Sequence, residues 1–272
     1  MIQRQRMNEL QDKEIRAMAP SVFQEAHLGT KIYKHISTFV VINIMRETGW
    51  KPVWASEKKC RKSELVGYQK HMIAFKKQEG AGWLEVSDGV FPEIVLTNSH
   101  DCKASYMLQA GLFRLICSNG MVVADSTIQR QNIRHVGFDP EQVVHATYRI
   151  GESVPVMAGK IKDFQSVNLL PFEKSIYAKS ALIAKHNPKE QEDFEKLDGN
   201  AILNTRRYED RKDDLWSVYN TVQENLLKGG RREIVGKNRT KEVKAIDKNI
   251  ALNKALWHLT ERMYETKQRQ AV

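Results

Sequence analysis

The 272-residue chain carries 43 basic and 33 acidic residues, a formal net charge of +10, which favours polyanionic partners. Hydrophobic residues make up 41 % and charged residues 28 %, so general disorder is excluded. The most apolar run, 39–45, is far short of the roughly 18 residues a spanning helix needs, and three scattered cysteines exclude a disulfide framework.

In chain order, residues 8–18 read as a short helix ended by Ala19-Pro20. Residues 31–36 alternate as a strand would. Ser37 or Thr38 can then cap a helix over 39–48, with Gly49 as its stop. The period next becomes strand-like. Residues 51–61 and 67–75 form two expected strands joined by a polar turn at 62–64. Residues 92–97 form a third, buried on both faces, and 103–108 a fourth. Apolar runs 112–117 and 121–124 flank Ser118-Asn119-Gly120, and Asn-Gly between apolar runs is a hairpin signal because a type I′ turn needs positive φ at both central residues.

From Asp139-Pro140 the pattern turns helical. Helices are expected over 141–150, 156–167 and 172–185, with Gly151, Pro155 and Pro171 as breaks. Residues 188–208 are polar and read as a long loop. A helix over 213–228 is amphipathic, with Leu215, Val218, Tyr219, Val222 and Leu226 on one face and Gly229-Gly230 as its stop. A last helix covers 245–267. The fold class is α+β: an antiparallel sheet with a hairpin in the front half, 1–139, and a helical back half, 140–272, packed on it, with a basic loop at 229–244.

The charge is not spread evenly. Residues 51–80 hold eight basic and three acidic residues, and 228–248 hold eight and three again. These two stretches account for the whole net charge. In the first, Lys58, Lys59, Arg61, Lys62, Lys70, Lys76 and Lys77 are interleaved with Trp54, Tyr68 and Phe75. Aromatic faces beside cations suit single-stranded nucleic acid, since bases stack on rings while cations track phosphates. Phe75 fits strand core better, and Trp54 fits stacking or core. In the second stretch Lys228, Arg231, Arg232, Lys237, Arg239 and Lys241 follow or flank the Gly-Gly pair. Such a loop can order on a phosphate backbone. Arg114, Arg130 and Arg134 around the hairpin can extend the track.

Chemistry-bearing motifs are absent. His100, Asp101, Cys102, Cys117 and His135 match no metal-ligand spacing. Asp101, Asp125 and Asp139 could hold Mg²⁺ in a nuclease, but turns and helix entry already account for Asp at those places. No P-loop, GxGxxG or GxSxG occurs. No catalytic residue, metal or cofactor is assigned.

Residues 92–101 (PEIVLTNSHD), 111–123 (GLFRLICSNGMVV) and 133–137 (IRHVG), with 20–23, 214–230 and 251–263, resemble a family of phage, plasmid and prophage proteins. It is domain of unknown function 932, with its YafZ/YfjQ-type prophage members. The resemblance implies a mobile-element origin and supplies no catalytic residues. The order helix, antiparallel strands, helices is also similar to that of phage single-strand annealing proteins, a likeness of fold only.

The expected function is therefore a cytoplasmic nucleic-acid-binding accessory protein of a phage or plasmid, acting on single-stranded DNA in recombination, annealing or replication. Expected partners are nucleic acid and a second copy of the chain, with no membrane. Two other readings fit the same residues: a protein-binding module that inhibits a host defence or repair factor, and a metal-dependent nuclease.

Overall fold

The computed structural model describes residues 7–25, 37–60, 66–87, 89–101, 106–115, 119–122, 131–133, 139–231 and 241–270. The expected strand at 31–36, the turn at 62–64 and most of the basic loop lie outside them. The chain divides into two compact units, 1–155 and 156–272.

The first unit opens with helix α1 (Asp12–Met18) and a 3₁₀ turn (Pro20–Phe23). Helix α2 (Thr38–Glu47) follows, burying Thr38, Val41, Ile42 and Met45. Arg46 joins the two helices, donating to Asp12 at 2.8 Å and to the Leu10 carbonyl at 3.1 Å. Gly49 then takes φ +80°, the left-handed conformation that favours glycine at a helix stop.

Strands β1 (Trp50–Glu57), β2 (His71–Glu79), β3 (Gly82–Trp83), β4 (Val90–Asn98), β5 (Tyr106–Arg114), β6 (Asn119–Val122) and β7 (Gln131–Ile133) build one antiparallel sheet. Its order is β1-β2-β4-β5-β6, with β3 on β2 and β7 on β5. All nine residues of β4 are buried, as the apolar run at 92–97 implies. One face carries Phe75, Ile73, Ile94, Leu96, Leu108, Ala110 and Leu112, which alternation and register bring together and which form the core with the helices.

Three strand expectations shift. The second strand begins at His71, four residues late, and runs on through Lys76 and Lys77. The described parts of the runs 103–108 and 112–117 that lie in 106–114 belong to one strand, β5, because Gly111 keeps its ladder pairing with Glu93. The hairpin forms, but Asn119 and Gly120 already pair with Arg114 and Phe113 inside β6, so the chain reverses before the Asn-Gly pair.

Helix α3 (Pro140–Glu152) starts with Pro at its first turn and with Asp139 accepting from Glu141 N at 3.0 Å. It buries Val143, Ala146, Thr147 and Ile150, a single helical stripe. The strand-to-helix change thus falls at residue 139, while the boundary between compact units falls at 155/156. The reason is that α3 packs against α2 and β5.

The second unit holds α4 (Val154–Ser166, its first two residues before the boundary), α5 (Pro171–His186), α6 (Gln191–Glu195), a 3₁₀ turn (Gly199–Ile202), α7 (Leu215–Lys228) and α8 (Ile246–Gln270). The segment read as loop therefore contains two short helical turns, pinned by buried Leu197 and Ile202. Asp214 caps α7, accepting from Ser217 N at 2.9 Å and Ser217 Oγ at 2.8 Å.

Helix α7 is not the surface helix its periodicity suggests. Every residue from Leu215 to Leu227 is buried, since α5, α8 and the 3₁₀ turn all pack on it. Two of its amide side chains are held internally: Asn220 Nδ2 donates to Trp216 O at 2.7 Å, and Gln223 Nε2 donates to Asn253 Oδ1 at 2.8 Å. Around it Trp257 meets Phe164 and Tyr219 edge-on at 5.4 and 6.0 Å.

Candidate functional site

In the first basic stretch the ladder decides where each cation goes. Glu57 pairs with His71, and Lys58 N donates to Lys70 O at 2.7 Å, extending the ladder by one pair. By alternation Trp54, Ser56 and Lys58 share one face of β1, the face opposite the helix-packed core, and Lys70 lies across from Lys58 on it. Lys58 and Lys59 are exposed, whereas Lys70, Trp54 and Tyr68 are half-buried.

Lys76 is also on that face but does not reach solvent. It is fully buried, with Nζ 3.7 Å from the centre of the Phe113 ring, 4.8 Å from that of Phe91, and 3.2 Å from Met7 Sδ. Glu93, also buried, is its partner across the ladder. A buried ammonium in such a cage is a core residue, and a phosphate cannot meet it there. Lys77 donates to the Thr48 carbonyl at 2.7 Å. Arg114 is only 6 % exposed and belongs to the sheet interior, not to an outer track. Phe75 is core. Arg61, Lys62, Arg130 and Arg134 lie outside the described residues.

The same end of the sheet, on the core face, contains a buried polar cluster. His71 opens β2 and pairs with Asn98 at the end of β4. Thr38 Oγ1 lies 2.8 Å from His71 Nε2, 3.2 Å from His100 Nε2 and 3.2 Å from Asn98 Nδ2. His71 Nδ1 lies 3.1 Å from the Gln69 carbonyl and 3.1 Å from Ser21 Oγ. The two imidazoles stack at 5.1 Å. Ser21, Thr38, His71, Asn98 and His100 are all buried.

Hydrogen-bond direction fixes the tautomers. The Gln69 carbonyl only accepts, so His71 Nδ1 carries the proton. Nε2 of neutral His71 then accepts from the Thr38 hydroxyl. Asn98 Nδ2 can only donate to Thr38 Oγ1, and His100 Nε2–H fills its remaining lone pair. Burial lowers the His71 pKa from 6.5 to about 4, against the opposing pull of the Gln69 carbonyl. Glu57 completes the arrangement, accepting from Ser21 N at 3.0 Å and Gln69 Nε2 at 3.1 Å. Tyr68 O accepts from His100 N at 3.2 Å. Residues 68–71 are therefore held from one side, and Lys70 is presented on the other.

In the second basic stretch, Lys228 donates to buried Glu224 Oε1 at 2.6 Å, and Arg207 donates to the same oxygen at 2.8 Å. Burial alone would raise the Glu224 pKa, but the hydrogen bonds from Arg207 and Lys228 outweigh it and hold the carboxyl below its ordinary value. Arg231 donates to Asn225 Oδ1 at 3.1 Å and to Asn204 O at 3.2 Å. These two cations hold the end of α7. Lys241 is exposed. Arg232, Lys237 and Arg239 lie outside the described residues.

Among the described residues no group of three or more His, Cys, Asp or Glu side chains is arranged to hold a metal ion. Asp101 accepts from Ser99 Oγ at 2.6 Å and Asp139 caps α3. Cys102, Cys117, Asp125 and His135 lie outside the described residues. No described helix is long and apolar enough to cross a membrane.

The chain matches the family described as Domain of unknown function (DUF932) over residues 28–257. It belongs to that family. It is 32 % identical over 254 residues to UPF0380 protein YafZ of Escherichia coli (strain K12), covering 92 % of this chain and 89 % of that one. Its identity to UPF0380 protein YfjQ of the same strain is also 32 %, over the same shares. No solved structure matches.

The DUF932 span takes in the whole sheet, the Thr38–His71–Asn98–His100 group and Glu224, and leaves Ser21 outside. Sequence reading missed this cluster. It offered Thr38 as one of two helix caps, placed His71 in mid-strand and weighed His100 only as a metal ligand or a turn residue. The available signal was a His three residues past the apolar run 92–97, with a second His within another expected strand. Only the register of β2 against β4 brings them together.

Proposed function

We propose that the protein binds nucleic acid, single-stranded DNA by preference, through the open end of the β1–β2 ladder. One observation carries the reading: Lys58 and Lys70 face each other across the ladder on one side of the sheet edge. Two cations on one side of that edge can meet neighbouring phosphates. Lys59 adds a third charge, and Trp54, about 13 Å further along β1, and Tyr68 supply rings for bases. The biological setting is recombination, annealing or replication of a phage or plasmid.

Fluorescence anisotropy with a labelled single strand and its duplex, at two salt concentrations, tests this. Affinity should fall with salt and favour the single strand. Each lost phosphate contact reduces the single-strand salt slope by about 0.7, so Lys58→Gln with Lys59→Gln should lower it by roughly 1.4. No binding at low salt, or an unchanged slope in the double variant, overturns the proposal and directs the search to an acidic protein partner.

A further inference from the structure

A cavity of about 270 Å³ opens in the second unit between α5, α7 and the segment that joins the 3₁₀ turn to α7. Its lining is graded. Asp210, Val218 and Thr221 are buried, whereas Arg211 and Lys212 are exposed and Lys174 is half-buried. Lys174 is ion-paired with Asp213, and Leu169 N donates to Asp213 O at 2.9 Å, so this wall is fixed to the start of α5. Thr221 Oγ1 is buried without a hydrogen-bond partner. A helical threonine can satisfy its hydroxyl on the carbonyl one turn back, and this one does not. A buried orphan hydroxyl in a polar cavity marks a place for a ligand or a water.

We propose that this cavity binds a nucleoside monophosphate, with the base inside and the phosphate at the mouth. The Asp210 carboxylate accepts from N–H groups on a base edge, and the Thr221 hydroxyl bonds to the same edge. Val218 packs against the ring. Arg211 and Lys212 meet the phosphate. The size fits: a cavity of about 150 Å³ takes benzene, so this one holds a base and leaves the sugar and phosphate outside. The site lies in the other unit from the sheet edge and does not depend on strand binding there.

Titration calorimetry of the full chain with each of the four common nucleoside monophosphates, and with inorganic phosphate, tests the assignment. At least one nucleotide should bind saturably and tighter than phosphate. Thr221→Val should weaken that binding on the order of 5- to 10-fold while raising the melting temperature of the free protein, because it removes an unsatisfied buried hydroxyl. Lys212→Gln should weaken binding of the nucleotide but not of the bare nucleoside. Absence of saturable binding by all four, equal binding by phosphate alone, or unchanged affinity in Thr221→Val overturns the proposal.

Discussion

The His71 cluster makes a quantitative prediction about acid. In the unfolded chain the His71 imidazole titrates at its ordinary 6.5, and in the folded chain at about 4. The folded value is the lower one, so the unfolded state binds the proton first as pH falls. Stability from this group is complete above about pH 6.5 and is lost progressively down to about pH 4. The gap corresponds to about 3 kcal/mol, a large share of what a domain of this size has to lose. Hydrogen-bond direction agrees with burial. A protonated Nε2 would have to donate to Thr38 Oγ1, which already receives from Asn98 and His100, and the Thr38 proton would lose its acceptor. Two measurements check this. Carbon chemical shifts of the His71 ring should report a neutral, Nδ1-protonated imidazole at pH 5.5. Hydrogen-exchange protection factors of β2 and β4 amides, corrected for the intrinsic pH dependence, should fall between pH 6.5 and 4, and less so in His71→Gln. A ring that titrates near 6.5 in the folded protein would refute the reasoning.

Two further predictions concern the second unit. Glu224→Gln leaves Arg207 and Lys228 without their shared carboxylate; both cations are partly exposed, so the loss at pH 7 should be about 2 kcal/mol rather than the larger cost of a fully buried pair, read by thermal melting. Because the folded Glu224 pKa is the lower one, that stabilisation is present above the ordinary carboxylate value and disappears as pH falls below it, so wild type and variant should converge in acid. In Gly199→Ala the new Cβ would stand 2.8 Å from Lys179 N and 2.9 Å from Ser175 O, both backbone atoms of α5, so the 3₁₀ turn must lift; the melting temperature should drop by an amount equivalent to about 1–3 kcal/mol, and an unchanged melt would mean the close approach is absent in solution.

The fold was largely legible because its signals are local. Pro140 after Asp139, the Asp214 cap, Gly49 and the Gly229-Gly230 stop each act through one or two bonds, and the helices fall within a few residues of where those signals put them. The α+β order follows from the change of period near residues 50 and 139. What was not legible depends on long-range register. Gly111 reads as a break in sequence, yet it pairs with Glu93 inside β5. Helix α7 shows one apolar stripe, yet it is buried all round, because its Asn, Gln and Glu residues are satisfied by side chains and carbonyls distant in sequence. The Thr38 cluster joins residues separated by up to 62 positions, and nothing local in Thr38 distinguishes a cap from a hub.

The charge shows the same division between local and long-range causes. Both basic stretches start where a helix ends: α2 stops at Glu47 and α7 at Lys228. A helix C-terminus leaves carbonyls unsatisfied and carries partial negative charge, which cations stabilise. Lys51 donates to Arg46 O at 3.2 Å and Lys77 to Thr48 O at 2.7 Å, at the end of α2. Lys185 donates to Leu226 O at 3.2 Å and Arg206 donates to Gly229 O, at the end of α7. Lys228 and Arg231 bind Glu224 and Asn225 of its last turn. The part of each stretch nearest its helix is thus engaged by the fold, as is Lys76 deep in the sheet. Among the described residues of the two stretches, the exposed cations lie further on, at Lys58 and Lys59 in one unit and at Lys241, Lys244 and Lys248 in the other. Among the described residues, part of the positive charge of the two stretches is therefore engaged by the fold rather than open to solvent.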